Sequence, residues 1–299
     1  MSRFYGQAGG LPTAVLFASR DDAAALEELT EAIGGLGDAA VYWIVRDPAL
    51  LPVGSTGYVD ANGAVAAGWG VTAASGAVVV LDPNLRVVAT AAPGDPPAAV
   101  LDALAGSKHL GTMTGVESQA PVLMVPRVID EHRCADLITQ CRADAVESGV
   151  ETASATEIVD RVRKRRRDVS VTDATQLQQL STSVGRRLMP EIDRAFAYRA
   201  TRFEGFKIAC YDEASGGFFS PHRDNLIPAT AHRVFALSIN LNDDYDGGEL
   251  GFPEYGQQRY RAPAGAAMVF SCALMHAVHP VTRGSRFVLL SFLYAGERR

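Results

Sequence analysis

The stretch Pro221-His222-Arg223-Asp224-Asn225 holds a His-x-Asp pair. An imidazole and a carboxylate two residues apart share one side of a regular strand, so both could reach a single ion. A third donor lies downstream: His276 follows Asp224 by 52 residues (276 − 224), and His279 stands three beyond it. On a strand these two histidines would face opposite ways, so only one of them can join the pair. Two imidazoles and one carboxylate leave metal positions open, as a non-haem Fe(II) centre needs if it is to admit a co-substrate and O₂. Arg286 follows His276 by 10 residues (286 − 276). Its guanidinium is a rigid fork that can meet a carboxylate with two charge-assisted hydrogen bonds. Alone, a His-x-Asp pair is as easily a surface turn. The ordered set is more specific.

These residues need strands to carry them. From Phe203 onward the apolar pattern has period two. Strands are expected at Phe206–Tyr211, Phe218–His222, Arg233–Asn242, Glu249–Phe252, Ala266–Phe270 and Arg286–Leu293, separated by turns rich in Gly, Pro and Asp. An extended strand over Ala120–Ile129 opens this region, and Asp130 caps a helix that runs to about Val146. A second helix is expected from Thr175 to about Arg199, with Pro190 a candidate break. Many short strands behind two helices suggest a β-sandwich or jelly roll. Between the helices, six of the seven residues Arg161–Arg167 are basic. No aromatic interleaving accompanies them, so a solvated segment or a positive wall near an anionic co-substrate is expected rather than a nucleic-acid patch.

The first third reads differently. Thr13–Ala18 and Val41–Val45 are short apolar runs, as buried strands would be, and Asp22–Ile33 between them has helical spacing, with Ser19 to Asp22 able to cap the helix. Two further strands, Gly76–Leu81 and Leu85–Ala89, flank the turn Asp82-Pro83-Asn84, and Pro96–Ala105 closes with a helix. With Gly68-Trp69-Gly70-Val71 before the final hairpin, this β-α-β then β-β-α order resembles the redoxin (peroxiredoxin-like) family, which implies a thioredoxin-like α/β domain. The family's peroxidatic cysteine would stand at Ser19-Arg20-Asp21-Asp22, yet no cysteine precedes Cys134. The domain is therefore expected to pack, to form a homodimer or to dock substrate. The expected organisation is α+β with two domains: 1–108 thioredoxin-like, 109–120 linker, and 121–299 the strand-rich domain.

Bulk composition narrows the class. The 299 residues are 47% hydrophobic and 21% charged, which reads as a soluble, globular chain. A formal net charge of −6 argues against general affinity for nucleic acid or an anionic membrane. No apolar run approaches the roughly 18–20 residues that span a bilayer, and Met1–Gly6 begins no leader peptide. Cys134, Cys141, Cys210 and Cys272 show no Cys-x-x-Cys spacing, so reduced, buried thiols in a cytoplasm are expected.

Several motifs run in order through the second domain: Cys210-Tyr211, Phe219-x-Pro221-His222-Arg223-Asp224, and Ile239-Asn240-Leu241-Asn242 leading to Gly247-Gly248-Glu249-Leu250-x-Phe252-Pro253. Met275-His276 and Pro280-Val281-Thr282-Arg283-Gly284-Ser285-Arg286 close the set. On these the segment from Val122 to Tyr294 resembles the prolyl 4-hydroxylase-like branch of the Fe(II)/2-oxoglutarate dioxygenases. The resemblance implies a double-stranded β-helix (jelly roll) with supporting helices. It selects His276 over His279 as third ligand, so Fe(II) would be held by His222, Asp224 and His276. It assigns Arg286 to the far carboxylate of 2-oxoglutarate, where many prolyl hydroxylases carry Lys, and Tyr211 as second donor to that group. Asn240 and Ser238 are weaker candidates for the same barrel face. His279 becomes a supporting histidine, and His109, His132 and His232 structural or exposed ones. The implied reaction consumes O₂ and 2-oxoglutarate, releases succinate and CO₂, and hydroxylates a peptide, protein or small molecule, with L-ascorbate an optional reductant. Asp224 stands where related halogenases carry a small residue, which favours hydroxylation or another two-electron C–H oxidation. The rival reading is a non-catalytic 2-oxoglutarate or oxygen sensor whose redoxin-like domain binds a partner. A cupin-like metalloenzyme would leave Arg286 unexplained.

Overall fold

A computed structural model describes residues 11–71, 76–83, 85–107, 119–151 and 157–296. The chain divides into two compact units, Met1–Thr114 and Gly115–Arg299. Most of the expected linker, with His109, lies outside the described residues, as do Asn84 and residues 1–10, Met1–Gly6 among them.

The first unit runs β1 (Thr13–Ala18), α1 (Ala23–Gly34), β2 (Ala40–Val45), β3 (Gly57–Val59), α2 (Ala64–Gly68), β4 (Ala77–Leu81), β5 (Val87–Ala91) and α3 (Pro97–Gly106). Its sheet has the order β3-β2-β1-β4-β5, with the first three strands parallel and β4 and β5 antiparallel. Strand β1 is apolar from Ala14 to Ala18 because both of its faces are covered. Ala14 and Leu16 join a core with Leu26, Ile33, Val100 and Leu104, while Val15 and Phe17 face Tyr42, Ala66 and Trp69. Two expectations shift. Strand β5 starts at Val87 rather than Leu85, because Leu85 has φ 63° and belongs to the turn. Asp22 does not cap α1; its carboxylate accepts from Ser19 Oγ at 2.5 Å and from the Gly76 amide at 3.0 Å.

The second unit opens with β6 (Leu123–Val125), α4 (Glu131–Asp144), β7 (Val146–Glu147), β8 (Val150–Glu151), β9 (Glu157–Ile158), β10 (Lys164–Arg165), β11 (Arg167–Ser170) and α5 (Ala174–Phe196). There follow β12 (Arg202–Phe203), β13 (Lys207–Asp212), β14 (Phe218–His222), β15 (Phe235–Asn240), β16 (Asp246–Gly247) and β17 (Leu250–Gly251). The chain ends with β18 (Arg259–Tyr260), β19 (Ala267–Ser271), β20 (His276–Val278), β21 (Val281–Arg283) and β22 (Ser285–Tyr294). The larger sheet follows β6-β19-β15-β22-β13-β11-β7, with β12 also on β22, and the smaller follows β10-β14-β20-β17-β18. One apolar cluster joins α4 and α5 to the larger sheet through Leu137, Val184, Leu188, Ile208 and Leu237. Another lies between the sheets, where Tyr211, Met268 and Phe270 meet Leu250, Phe252 and Val278. Helices, large sheet and small sheet thus form three layers, consistent with a jelly-roll core.

Helix α4 is capped as expected, Asp130 Oδ1 accepting from the Arg133 amide at 2.8 Å. Strand β6 is far shorter than expected, because Arg127 adopts φ 52° and the Val128 and Ile129 amides both turn to the Gly265 carbonyl. Pro190 does not break α5, which is helical from Ala174 to Phe196. A helix-interior proline costs about 3 kcal/mol. Leu180, Val184, Leu188 and Ile192 are each fully buried on one face on both sides of it. At roughly 1.5–3 kcal/mol apiece their burial outweighs the break.

Candidate metal and co-substrate site

His222 ends β14 and His276 begins β20, and the two are directly paired across these antiparallel strands. Their rings lie 4.3 Å apart, centroid to centroid. Asp224 lies two residues past the end of β14, so strand alternation is not what aims it. Instead its amide donates to the Cys272 carbonyl at 3.0 Å, which folds the chain back over the histidines. Asp224 Oδ1 then lies 3.5 Å from His222 Nε2, and Oδ2 lies 3.4 Å from His276 Nε2. One donor atom from each of the three lies within 4.8 Å of the others, the spacing needed to surround one ion. Among the described residues, no other group of His, Cys, Asp and Glu meets that condition.

Each imidazole is oriented from behind. His222 Nδ1 lies 2.8 Å from the Ser220 carbonyl, and His276 Nδ1 lies 3.1 Å from the Leu274 carbonyl. A carbonyl only accepts, so each Nδ1 carries the hydrogen and each Nε2 keeps its lone pair for the cluster. Phe219 stacks on His222 at 3.6 Å, and Phe270 meets His276 edge-on at 4.7 Å. Burial works to raise the Asp224 pKa, but His276, His222 and Arg233 hold the carboxyl below its ordinary value. Burial pushes the His276 pKa down, which favours the neutral, ligating form.

His279 stands apart, with its Nε2 against Gly251, where an added Cβ would come within 2.6 Å. His232 is paired with Glu204 at 2.8 Å, and His132 with Asp136 at 3.2 Å. The four cysteines are all buried and unbridged. Burial pushes the Cys134 thiol up to about 11 and Cys141 up to about 12, and raises Cys210 and Cys272 as well.

Beside the cluster is a cavity of about 480 Å³, lined by Tyr211, Ser238, Arg286 and all three clustered residues. Arg286 is 2% exposed. Its Nη2 donates to Asn240 Oδ1 at 3.0 Å and to Ser238 Oγ at 3.3 Å, both neutral. Asn240 is itself fixed, because its Nδ2 donates to Tyr245 Oη at 2.8 Å and to the Ala262 carbonyl at 2.6 Å. That leaves Oδ1 for the guanidinium. Gly248 makes room for it: at φ 70°, an added Cβ would lie 3.0 Å from Arg286 Cδ. A buried cation with neutral partners is costly unless an anion joins it.

Several supports were invisible in the sequence. The basic run is neither a free patch nor fully solvated. Lys164 is 5% exposed, donates to the Gly149 carbonyl and lies 5.2 Å over the Phe219 ring. Arg166 forms a bidentate pair with Asp168, at 2.6 Å for each bond, and its Nη1 donates to Tyr211 Oη at 3.2 Å. Arg161 pairs with Glu147 at the surface. Arg223, within the His-x-Asp motif, pairs with Glu254 at 2.6 Å and donates to the Ala273 carbonyl, while Glu254 accepts from the Met275 amide at 2.9 Å. The clamp ties the motif to the loop that delivers His276.

Residues 206–294 match the model of the 2OG-Fe(II) oxygenase superfamily. These residues are a 2OG-Fe(II) oxygenase domain. The chain is also similar to proteins called PKHD-type hydroxylases. One from Synechococcus sp. (strain JA-2-3B'a(2-13)) is 33% identical over 104 residues, covering 32% of this chain and 46% of the relative. One from Paracoccus denitrificans is 39% identical over 94 residues, covering 28% of this chain and 40% of the relative. The chain thus spans less than half the length of these curated relatives. A Pseudomonas putida prolyl-4-hydroxylase structure aligns over 66% of this chain and 98% of its own, with 18% identity and a TM-score of 0.44. Among the described residues no helix is long and apolar enough to cross a membrane.

Proposed function

We propose that the second unit is an Fe(II)- and 2-oxoglutarate-dependent oxygenase that hydroxylates a peptide, protein or small-molecule substrate. The observation that carries this is the pairing of two sites in one cavity: an open N/N/O donor set beside a buried arginine with neutral partners. The residues fit the groups the family implies. Two imidazole nitrogens and one carboxylate oxygen suit Fe(II), and Arg286 suits a carboxylate. In this reading His222, Asp224 and His276 hold the iron, and Arg286 with Tyr211 holds the far carboxylate of 2-oxoglutarate. Bound Fe(II) supplies the activation of O₂ and the oxidative decarboxylation of 2-oxoglutarate to succinate and CO₂. The protein's part is placement. The Ser220 and Leu274 carbonyls keep both Nε2 atoms free, Asp224 carries charge toward the metal, and Phe219 and Phe270 flank the two imidazoles against water.

Purified protein supplied with Fe(II), 2-oxoglutarate and O₂ should release succinate, and His222→Ala should abolish that release. Equal succinate from the variant and the wild type would sink the reading.

For the first unit we propose a thioredoxin-like fold without thiol chemistry, acting in docking or self-association. Its β2-β1-β4-β5 order, with parallel then antiparallel pairing, supports this. Ser19 and Asp22 stand where a nucleophilic cysteine would, and their side chains are engaged with each other and with Gly76.

A further inference from the structure

We propose that Arg166 is a positioning residue for Tyr211, holding the phenol so that its O–H is aimed into the cavity beside Arg286 as a donor to the far carboxylate of 2-oxoglutarate. This inference rests on the function proposed above and deepens it.

Strand register creates the arrangement. Arg167 pairs with Cys210 across β11 and β13, so the same register places residue 166 across from Tyr211. Tyr211 in turn pairs with Arg286 across β13 and β22. Arg166, Tyr211 and Arg286 therefore form a row across adjacent chain segments. The two guanidinium carbons lie 5.7 Å and 5.6 Å from the Tyr211 ring centroid. The phenol is held between two cations.

The direction of the hydrogen bond follows from chemistry. A guanidinium has donors only, so Arg166 Nη1 must donate to Tyr211 Oη. A phenol has one proton, and it cannot point at that donor. Among the described residues, the bond from Arg166 is the only hydrogen bond of the Tyr211 hydroxyl. Among the described residues the proton is therefore left without an acceptor, on a residue that is 2% exposed and lines the cavity. An acceptor arriving in the cavity next to Arg286 completes it, and a carboxylate supplies one.

Arg166 is in turn immobilised. Asp168 takes it with two parallel bonds, and Ser148 Oγ donates to Asp168 Oδ2 at 2.6 Å. Asp168 and Ser148 are 8% and 5% exposed. Burial opposes the Arg166 charge, yet Tyr211 and Asp168 raise its pKa above the ordinary value, so it stays a donor at any working pH. The basic run thus supplies the fixed end of a chain, Ser148 to Asp168 to Arg166 to Tyr211.

The test is a double-mutant cycle read by binding. Full-length, Fe(II)-loaded protein is titrated with 2-oxoglutarate under anaerobic conditions in a calorimeter. Arg166→Gln and Tyr211→Phe should each weaken binding by about tenfold, the size expected for a hydrogen bond to a charged group. The double variant should bind as Tyr211→Phe does. 2-Oxovalerate, which lacks the far carboxylate, should bind equally to all four proteins. Arg166→Lys keeps a cation beside Asp168 and serves for the same cycle if Arg166→Gln does not fold. An Arg166 effect that persists undiminished in the Tyr211→Phe background overturns the proposal and makes Arg166 a direct ligand or a structural prop. So does equal loss of 2-oxovalerate. Those results leave the proposed function standing. Failure of the wild type to bind 2-oxoglutarate overturns both.

Discussion

At the scale of single residues, the centre depends on where charges are left uncompensated. Arg286 is buried with neutral partners, so its replacement should harm the co-substrate and spare the metal. Arg286→Gln is expected to weaken 2-oxoglutarate binding by roughly tenfold to a hundredfold, with Fe(II) affinity unchanged in an equilibrium competition assay. Equal loss of iron would place Arg286 among the ligands' supports instead. Asp168 allows a pH prediction. Burial tends to raise its pKa, but Arg166, Lys164 and Ser148 outweigh this and leave it below the ordinary carboxylate value. A depressed folded-state pKa adds stability above the unfolded value near 4, and that stability is lost as pH falls through the folded value. Asp168→Asn should therefore cost about 3 kcal/mol in urea unfolding at pH 7, and the gap from wild type should narrow below about pH 4. His222, Asp224 and Arg286 were legible in the sequence because their types and spacing are local or fall in a fixed order. Arg166 was not, because inside a run of six basic residues nothing marks the one that is buried. Its partner Tyr211 is 45 positions away. Strand alternation does not account for where Asp224 lies, since it falls past the end of β14 and a contact to Cys272 aims it.

At the scale of elements, two strand ends and one loop must be held in register. The Arg223–Glu254 pair does this by joining the His-x-Asp turn to the Ala273–Met275 loop. Glu254→Gln should lower Fe(II) affinity about tenfold, as loss of an outer support does at other metal centres. The check is metal competition with a chelator, and unchanged affinity would show that β14 and β20 suffice alone. Gly248→Ala meets both a positive φ and Arg286 Cδ. It should cost about 1–2 kcal/mol of stability and also weaken 2-oxoglutarate binding, measured on the same sample. Both supporting helices and the strands β13, β14, β15, β17, β19 and β22 could be read from hydrophobic period, whereas β20, which carries His276, could not. Their ends could not: Arg127 and Leu85 adopt left-handed backbone that no residue type at those positions announces. Pro190 looks like a break by propensity alone, but the burial on either side of it, which no local signal shows, keeps the helix continuous.

At the scale of the whole chain, the candidate centre and its cavity draw only on residues 149–292, all within the second unit. A chain of residues 115–299 is accordingly expected to bind 2-oxoglutarate with the affinity of the full protein, and a shortfall of tenfold or more would give the first unit a part in the site. The four thiols also lie in the second unit, buried and with raised pKa values. A thiol reagent should find none of them in the native protein and all four after denaturation. Thiolates, not thiols, are the species that oxidants and soft metals attack. Cys272, whose carbonyl anchors Asp224, is buried and stands outside the three-residue donor group. On the proposed function, activity lost in air is expected to return when the metal is reduced back to Fe(II), with all four thiols still titrating after denaturation.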